Sequence, residues 1–128
     1  MTNIKLGILA SNYGSNLQAI IDACDSGKLQ GEISVVISNN SNSKALKRSN
    51  EKNIPSFHIS DHTHPDTYLQ DSAIRKILKD HKVNLVILAG YMKKLGPLVL
   101  KNYKGRIINI HPSLLPKYGG KGMYGMLV

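Results

Sequence analysis

The sequence contains one cysteine, no tryptophan, one phenylalanine, and only 8 acidic residues against 17 Lys and Arg in 128 residues. A single cysteine cannot form an internal disulfide, so we exclude a disulfide-stapled secreted domain and expect a reducing compartment. No apolar run is long enough to span a membrane, and the first predicted strand begins too close to Met1 to leave room for a signal peptide. We therefore predict a cytoplasmic protein, with Cys24 as a small core residue.

Two nucleotide-binding signatures and a metal-binding pattern are also missing. The glycine-containing turn at 11–16 has neither the dinucleotide glycine fingerprint nor the lysine of a phosphate-binding loop, so neither NAD nor ATP binding follows. His58, His62 and His64 lie close together, but no acidic or cysteine partner stands at a recognised interval. We expect these histidines on loops and at the surface, and we predict no metal site.

The positive charge is distributed unevenly. Residues 65–128 contain eleven Lys and Arg against three Asp and Glu, whereas residues 1–64 contain six against five. A basic half favours an anionic partner, so a nucleic-acid-binding α/β module is one open hypothesis. The lysines are scattered, however, without a recognition-helix or RNA-binding signature, and a positive field equally suits small anionic substrates. Charge alone does not decide between them.

What the sequence does contain is a regular alternation of short apolar runs and helical patterns, with 41% hydrophobic residues. Such runs, separated by helices, predict right-handed βαβ units on a parallel sheet. The predicted fold class is α/β, a doubly wound, mostly parallel sheet in one domain, 1–128. The five predicted strands are 5–10, 33–38, 54–59, 84–89 and 107–111.

Start signals place two of the predicted helices. Ser15, followed three residues later by Gln18, resembles a capping box for the first helix. Pro65 suits the first turn of another helix, whose apolar positions include Tyr68 and Leu69. The polar turn before the first helix exposes backbone N–H groups at the positive end of the helix dipole. An anion site and an ordinary capped turn both remain possible there.

The most informative stretch is 106–116, where a short apolar strand ends at a proline. Asn109 and His111 alternate with isoleucines, so their side chains share one face, and Pro112 ends the strand directly after His111. Ligands bind at the carboxyl edge of open α/β sheets. An amide beside an imidazole there can hydrogen-bond a carbonyl oxygen that becomes negative during reaction. Taken alone, the pair is also compatible with a structural cap.

Two strings resemble motifs of one family. Asn-Ile-His-Pro-Ser-Leu-Leu-Pro at 109–116 resembles the active-site signature of the folate-dependent formyltransferases. Gly-Ser-Asn-Leu-Gln-Ala-Ile at 14–20 resembles the phosphate-binding motif of the glycinamide ribonucleotide transformylases within that family. The resemblance covers the amino-terminal portion of the family and implies its Rossmann-like fold, C-terminally incomplete. The implied reaction transfers a formyl group from 10-formyltetrahydrofolate to the amine of glycinamide ribonucleotide in purine synthesis.

The resemblance also implies roles for individual residues. The implied catalytic residues are His111 and Asn109. His111, in its protonated form, would stabilise an oxyanion and relay a proton, and Asn109 would donate a hydrogen bond to the same oxygen. Gly14, Ser15 and Asn16 hold the ribose phosphate. No metal and no covalent enzyme intermediate are implied.

The folate positions implied by the resemblance follow the predicted strand 84–89. Lys93 stands where an arginine is common in the family, which weakens any expectation of a bidentate contact. The place that usually supplies a basic residue to the folate falls near Thr67, which is not basic, so no role is transferred to it. The implied folate-binding residues are Met92, Lys93, Lys94, Leu95 and Asn109.

Several hypotheses remain open at this level. Members of the family continue with further strands and a last helix, which hold an aspartate beside the catalytic histidine. The chain is therefore predicted to be either an active transformylase or an inactive fragment that binds ribonucleotide phosphate and self-associates through uncovered sheet surface. A formyltransferase acting on aminoacyl-tRNA or a sugar nucleotide would share the His-Pro motif but not Gly14-Ser15-Asn16. Four glycines at 117–125 predict a loop like the one that closes over the family's active site.

Overall fold

The structure is a computed structural model that describes residues 4–12, 14–110 and 124–127. Strands and helices alternate through most of this part of the chain. The strands are β1 (Ile4–Ala10), β2 (Gly31–Ser38), β3 (Ser56–His58), β4 (Leu85–Ala89), β5 (Ile107–Ile110) and β6 (Tyr124–Leu127). The helices are α1 (Ser15–Asp25), α2 (Lys44–Glu51), α3 (Thr67–Asp80) and α4 (Pro97–Asn102).

The strands form one sheet in the order β3-β2-β1-β4-β5-β6. Neighbours from β3 to β5 pair in parallel, which confirms the predicted α/β class with its five parallel strands. The sixth strand corrects one prediction, since the sequence predicts a glycine-rich loop that includes Tyr124 and Gly125. Tyr124 instead pairs with Ile110, and β6 runs antiparallel to β5.

The sheet is buried on both faces, as a parallel sheet flanked by helices requires. Ile8 belongs to the apolar core that also contains residues of α1 and α2, whereas Leu9 belongs to the core on the opposite face, with residues of α3 and α4. Gly7 shares the face of Leu9. A Cβ at Gly7 would lie 2.7 Å from Leu78 Cδ2, so α3 packs directly on the β1 backbone there.

Two helix starts differ from their predictions. The capping-box prediction is wrong, because α1 begins at Ser15 and its N-cap is Gly14, with no side-chain cap hydrogen bond. The predicted start at Pro65 is also wrong. The N-cap of α3 is Asp66, whose Oδ1 accepts from the N–H of Tyr68 at 2.7 Å, so the helix begins after Pro65 rather than with it.

Polar rather than apolar side chains are buried in the first turns of α3. Tyr68 and Leu69, predicted as apolar contacts, are 61% and 52% exposed. The reason lies in the contacts of Asp71, which is buried and accepts from the N–H groups of Leu98 at 2.8 Å and Val99 at 3.1 Å. Its carboxylate thereby satisfies the free donors at the start of α4.

The strand order places a topological switch point between β1 and β4. From β1 the chain proceeds to β2 and β3 on one side, and later to β4 and β5 on the other. The carboxyl ends of β1 and β4 thus diverge into different helices and leave a crevice, which is where open α/β sheets bind ligands. Within the described ranges, no helix is long and apolar enough to cross a membrane.

Candidate active site

The turn between β1 and α1 requires glycine at position 14. Gly14 is buried and has φ 78° and ψ 14°, in the left-handed region. A Cβ at this position would lie 3.0 Å from both the Cα and the N of Ala45 on α2. The conformation and the close approach of α2 both exclude a larger residue, so Gly14 fixes where α1 begins.

The N-terminus of α1 is open to a ligand. Its first turn contains no acidic residue, and no side chain of the described residues caps it, so its free backbone N–H groups lie at the positive end of the helix dipole. Asn16 is only 5% exposed, and its Oδ1 has no hydrogen-bond partner within the described residues. Buried polar atoms are normally paired. A phosphorylated sugar would meet both needs, with its phosphate on the N–H groups and a hydroxyl donating to Asn16.

A cation lies beside this first turn. Arg48 of α2 donates from Nη1 to Gln18 Oε1 at 3.0 Å. Its Cδ is 3.2 Å from the place that a Cβ on Gly14 would occupy. The guanidinium therefore adds positive charge next to the helix N-terminus, which favours an anionic ligand at that end.

One buried hydroxyl joins three strand ends at the switch point. Ser11, 2% exposed, directly follows β1. Its Oγ accepts from the N–H of Met92, after β4, at 2.7 Å and donates to Oδ1 of Asn39, after β2, at 2.7 Å. Ser11 is not among the site residues predicted from the sequence. Its place immediately after a buried strand is the signal that singled out His111, and it could have identified Ser11 too.

The segment after β4 has an apolar and an exposed side. Tyr91 and Leu95 pack against the core on the α3–α4 face of the sheet, and burial raises the pKa of Tyr91 to about 12. Met92 is 74% exposed and Lys94 is exposed as well. The exposed Met92 side chain offers an apolar surface beside the crevice, as a bound ring system would need.

Hydrogen bonds from Lys93 connect the segment after β4 to the loop before α3 and to α3 itself. Its Nζ donates to Asp61 Oδ1 at 2.8 Å and to Gln70 Oε1 at 2.9 Å. Gln70, which is buried, donates to the same Asp61 oxygen at 2.6 Å and to the carbonyl of His64 at 2.7 Å. The hydrogen bonds from Lys93 and then Gln70 lower the pKa of Asp61. Lys93 thus holds the segment in place through its side chain.

Asn109 lies on the same face as the apolar side of that segment. Ile108 and Ile110 belong to the core on the α1 side and Ile107 to the other, so alternation along β5 points Asn109 toward the α3–α4 side. It pairs in register with Leu88 of β4. Because β4 separates β5 from β1, the two strand ends are about 10 Å apart. One ribonucleotide can span that distance across the end of β4.

Not every predicted site residue can be placed. His111 and residues 112–123 lie outside the described residues, and Ser15 is described as the first residue of α1. Thr67 is the exposed first residue of α3. Where residues are described, no three His, Cys, Asp or Glu are grouped as metal ligands, and His64 Nδ1 lies 2.8 Å from the hydroxyl of Thr63.

Comparison with known proteins identifies the family. The sequence model of the formyl transferase family matches residues 4–127. The chain belongs to the formyl transferase family. This confirms the family predicted from the two motifs.

The relatives of this formyl transferase chain include phosphoribosylglycinamide formyltransferases. The protein of Haemophilus influenzae is 42% identical over 120 residues, with 94% of this chain and 57% of that protein covered. The Escherichia coli K12 protein is 38% identical over 117 residues, covering 91% and 55%. Glycinamide ribonucleotide transformylase 1 from Symbiobacterium toebii matches in structure with a TM-score of 0.82 and 38% identity, covering 91% and 55%. The chain thus spans about half the length of these relatives.

Proposed function

We propose that this chain carries out, or supplies the phosphate- and donor-binding parts for, formyl transfer from 10-formyltetrahydrofolate to the amine of glycinamide ribonucleotide. The proposal is carried by the N-terminus of α1, which lies at the switch point and two strands from Asn109. In the described part of the chain this end has no side-chain cap, and the buried Oδ1 of Asn16 has no hydrogen-bond partner there. The names of the relatives support the same reaction.

The two substrates approach the edge of the sheet from opposite faces. The phosphate binds the backbone N–H groups at Gly14, Ser15 and Asn16, on the α1 side, and the ribose lies toward Asn16. The amine then reaches across the end of β4 toward Asn109. The folate lies along 92–95 on the α3–α4 side, the face that Asn109 shares. Holding both reactants at one edge makes the reaction effectively unimolecular.

The chemistry is a direct acyl transfer. The lone pair of the amine attacks the formyl carbon, a C–N bond forms, and the carbonyl electron pair moves onto oxygen. The amide N–H of Asn109 donates to that oxyanion, and protonated His111 stabilises it. When the bond to the folate nitrogen breaks, its electron pair stays on that nitrogen. The nitrogen takes the proton that the amine has lost, relayed through His111.

The experiment is an assay of formyl transfer with purified protein. Glycinamide ribonucleotide and 10-formyltetrahydrofolate are added to the chain alone, and to the chain joined to the remaining C-terminal part of the Haemophilus influenzae relative. We expect the joined protein to form formylglycinamide ribonucleotide. Asn109→Asp removes an oxyanion donor and should lower kcat by about 100–1,000-fold. Asn102→Asp on α4, a half-buried asparagine on another element, is the matched control and should keep the rate.

Two results would contradict the proposal. One is a folded, joined protein that binds both substrates but transfers no formyl group. The other is salt-dependent binding to generic RNA or DNA without affinity for ribose 5-phosphate, which would favour the nucleic-acid-binding module. If the chain alone is inactive while the joined protein is active, the site described above needs the second part.

A further inference from the structure

We propose that Ser11 is a positioning residue that couples the two substrate subsites, so that an anion at the N-terminus of α1 orders the segment 92–95. The identity of the two ligands rests on the proposed function. The coupling itself rests on the hydroxyl of Ser11 and its partners. Ser11 touches neither proposed substrate and acts through the backbone of Met92.

A hydrogen bond joins Ser11, which follows β1, to Met92, which follows β4. The N–H of Met92 donates to Ser11 Oγ at 2.7 Å, and Ser11 is 2% exposed. The same hydroxyl donates to Oδ1 of Asn39 at 2.7 Å, so both its donor and an acceptor site are used. Because Ser11 is buried and its hydroxyl is held from two sides, the hydroxyl has one orientation.

Backbone contacts also restrain the chain that follows Ser11. The next residue, Asn12, accepts from the backbone N–H of Lys44 at 3.0 Å, which fixes the turn to the start of α2. Gly14 then closes the turn in the left-handed conformation and starts α1. An anion on the first N–H groups of α1 therefore acts on a short, doubly anchored turn of which Ser11 is the first residue.

The segment 92–95 is also held at Lys93. Met92 is followed by Lys93, whose Nζ is held by Asp61 and Gln70 at 2.8 and 2.9 Å. The segment 92–95 is thus attached through Ser11 to the turn that follows β1, and through Lys93 to the loop before α3. Removing the Ser11 hydroxyl leaves the attachment through Lys93 intact. It breaks the hydrogen bonds to Asn39 and to Met92, and the second of these is the connection between the subsites.

Hydrogen exchange of single amides tests the coupling in the chain itself, with inorganic phosphate as the probe. In Ser11→Ala, the Met92 amide should exchange at least about tenfold faster than in the wild type without ligand, because its acceptor is gone. Phosphate should slow Met92 exchange about fivefold in the wild type and not in Ser11→Ala. Ser11→Cys has a side chain of similar size with weaker hydrogen bonds. Like Ser11→Ala, it should raise the Met92 exchange rate without ligand and reduce the slowing by phosphate.

Ser49→Ala is the matched control, since Ser49 is as buried and its hydroxyl donates to the carbonyl of Ala45 at 2.7 Å within α2. This variant should lose stability yet keep the Met92 response to phosphate. Equal Met92 exchange in Ser11→Ala and Ser49→Ala would overturn the proposal, as would a phosphate response that survives in Ser11→Ala. If phosphate slows exchange of the Asn16 amide but not of the Met92 amide in the wild type, the coupling alone is refuted. If phosphate changes the exchange rate of neither amide, the phosphate subsite of the proposed function is refuted together with the coupling.

Discussion

Replacement of Gly14 by alanine tests the geometry on which the phosphate subsite depends. The positive φ of 78° costs an alanine about 1–2 kcal/mol in the left-handed region. The added methyl would also lie 3.0 Å from the backbone of Ala45, and crowding of this kind costs about 1–3 kcal/mol. We therefore expect Gly14→Ala to lower the free energy of unfolding by about 2–5 kcal/mol, measured by urea denaturation.

Gly27 supplies a matched control for that experiment. Its φ is 81°, but a Cβ there would meet nothing within 4 Å, so Gly27→Ala should show only the conformational cost of about 1–2 kcal/mol. Because Gly14 also sets the start of α1, its variant should lose affinity for phosphate while Gly27→Ala keeps it. Equal losses of stability in the two variants, together with unchanged phosphate binding in both, would refute the close approach of α2 to the turn.

The contacts of Lys93, Gly7 and Asp71 can each be tested by one substitution. The lowered pKa of Asp61 means that its contribution to stability is present above its ordinary pKa of 3.8 and lost as the pH falls through the lowered value. Lys93→Gln should weaken that dependence in urea unfolding across this range; an unaltered pH profile would argue against the ion pair. Gly7→Ala places a methyl 2.7 Å from Leu78 Cδ2 and should destabilise the chain by about 1–3 kcal/mol in chemical denaturation, whereas no loss would mean that α3 can shift away. Asp71→Ala leaves two N–H groups of α4 without their acceptor and should cost about 1–3 kcal/mol, with faster amide exchange confined to α4; unchanged exchange there would contradict this role.

Much of the fold could be predicted because its signals are local. Buried parallel strands appear in the sequence as short apolar runs, such as the one that ends at Ala10, and the polar turn after it marks the edge of the sheet. The helix starts were less accurate. Ser15 has the composition of a cap, but the left-handed conformation of Gly14 already makes Ser15 the first helical residue.

The contacts that organise the candidate site could not be predicted, because they join residues far apart in the chain. Ser11 and Met92 are separated by 81 positions, and Asp71 reaches Leu98 across 27. Hydrophobic periodicity also gives no sign that Gln70 is buried, since its burial depends on hydrogen bonds to a neighbouring loop. Such side chains follow from the packed arrangement of elements rather than from the pattern within one element.

The proposed function requires one ribonucleotide to extend from the N-terminus of α1 to the end of β5. The most direct measurement is a titration with glycinamide ribonucleotide, in which the backbone amide of Asn16 and the side-chain amide of Asn109 are followed by NMR. We expect both signals to shift along one binding curve with one Kd. A shift of Asn16 without Asn109, or two curves with different midpoints, would contradict it.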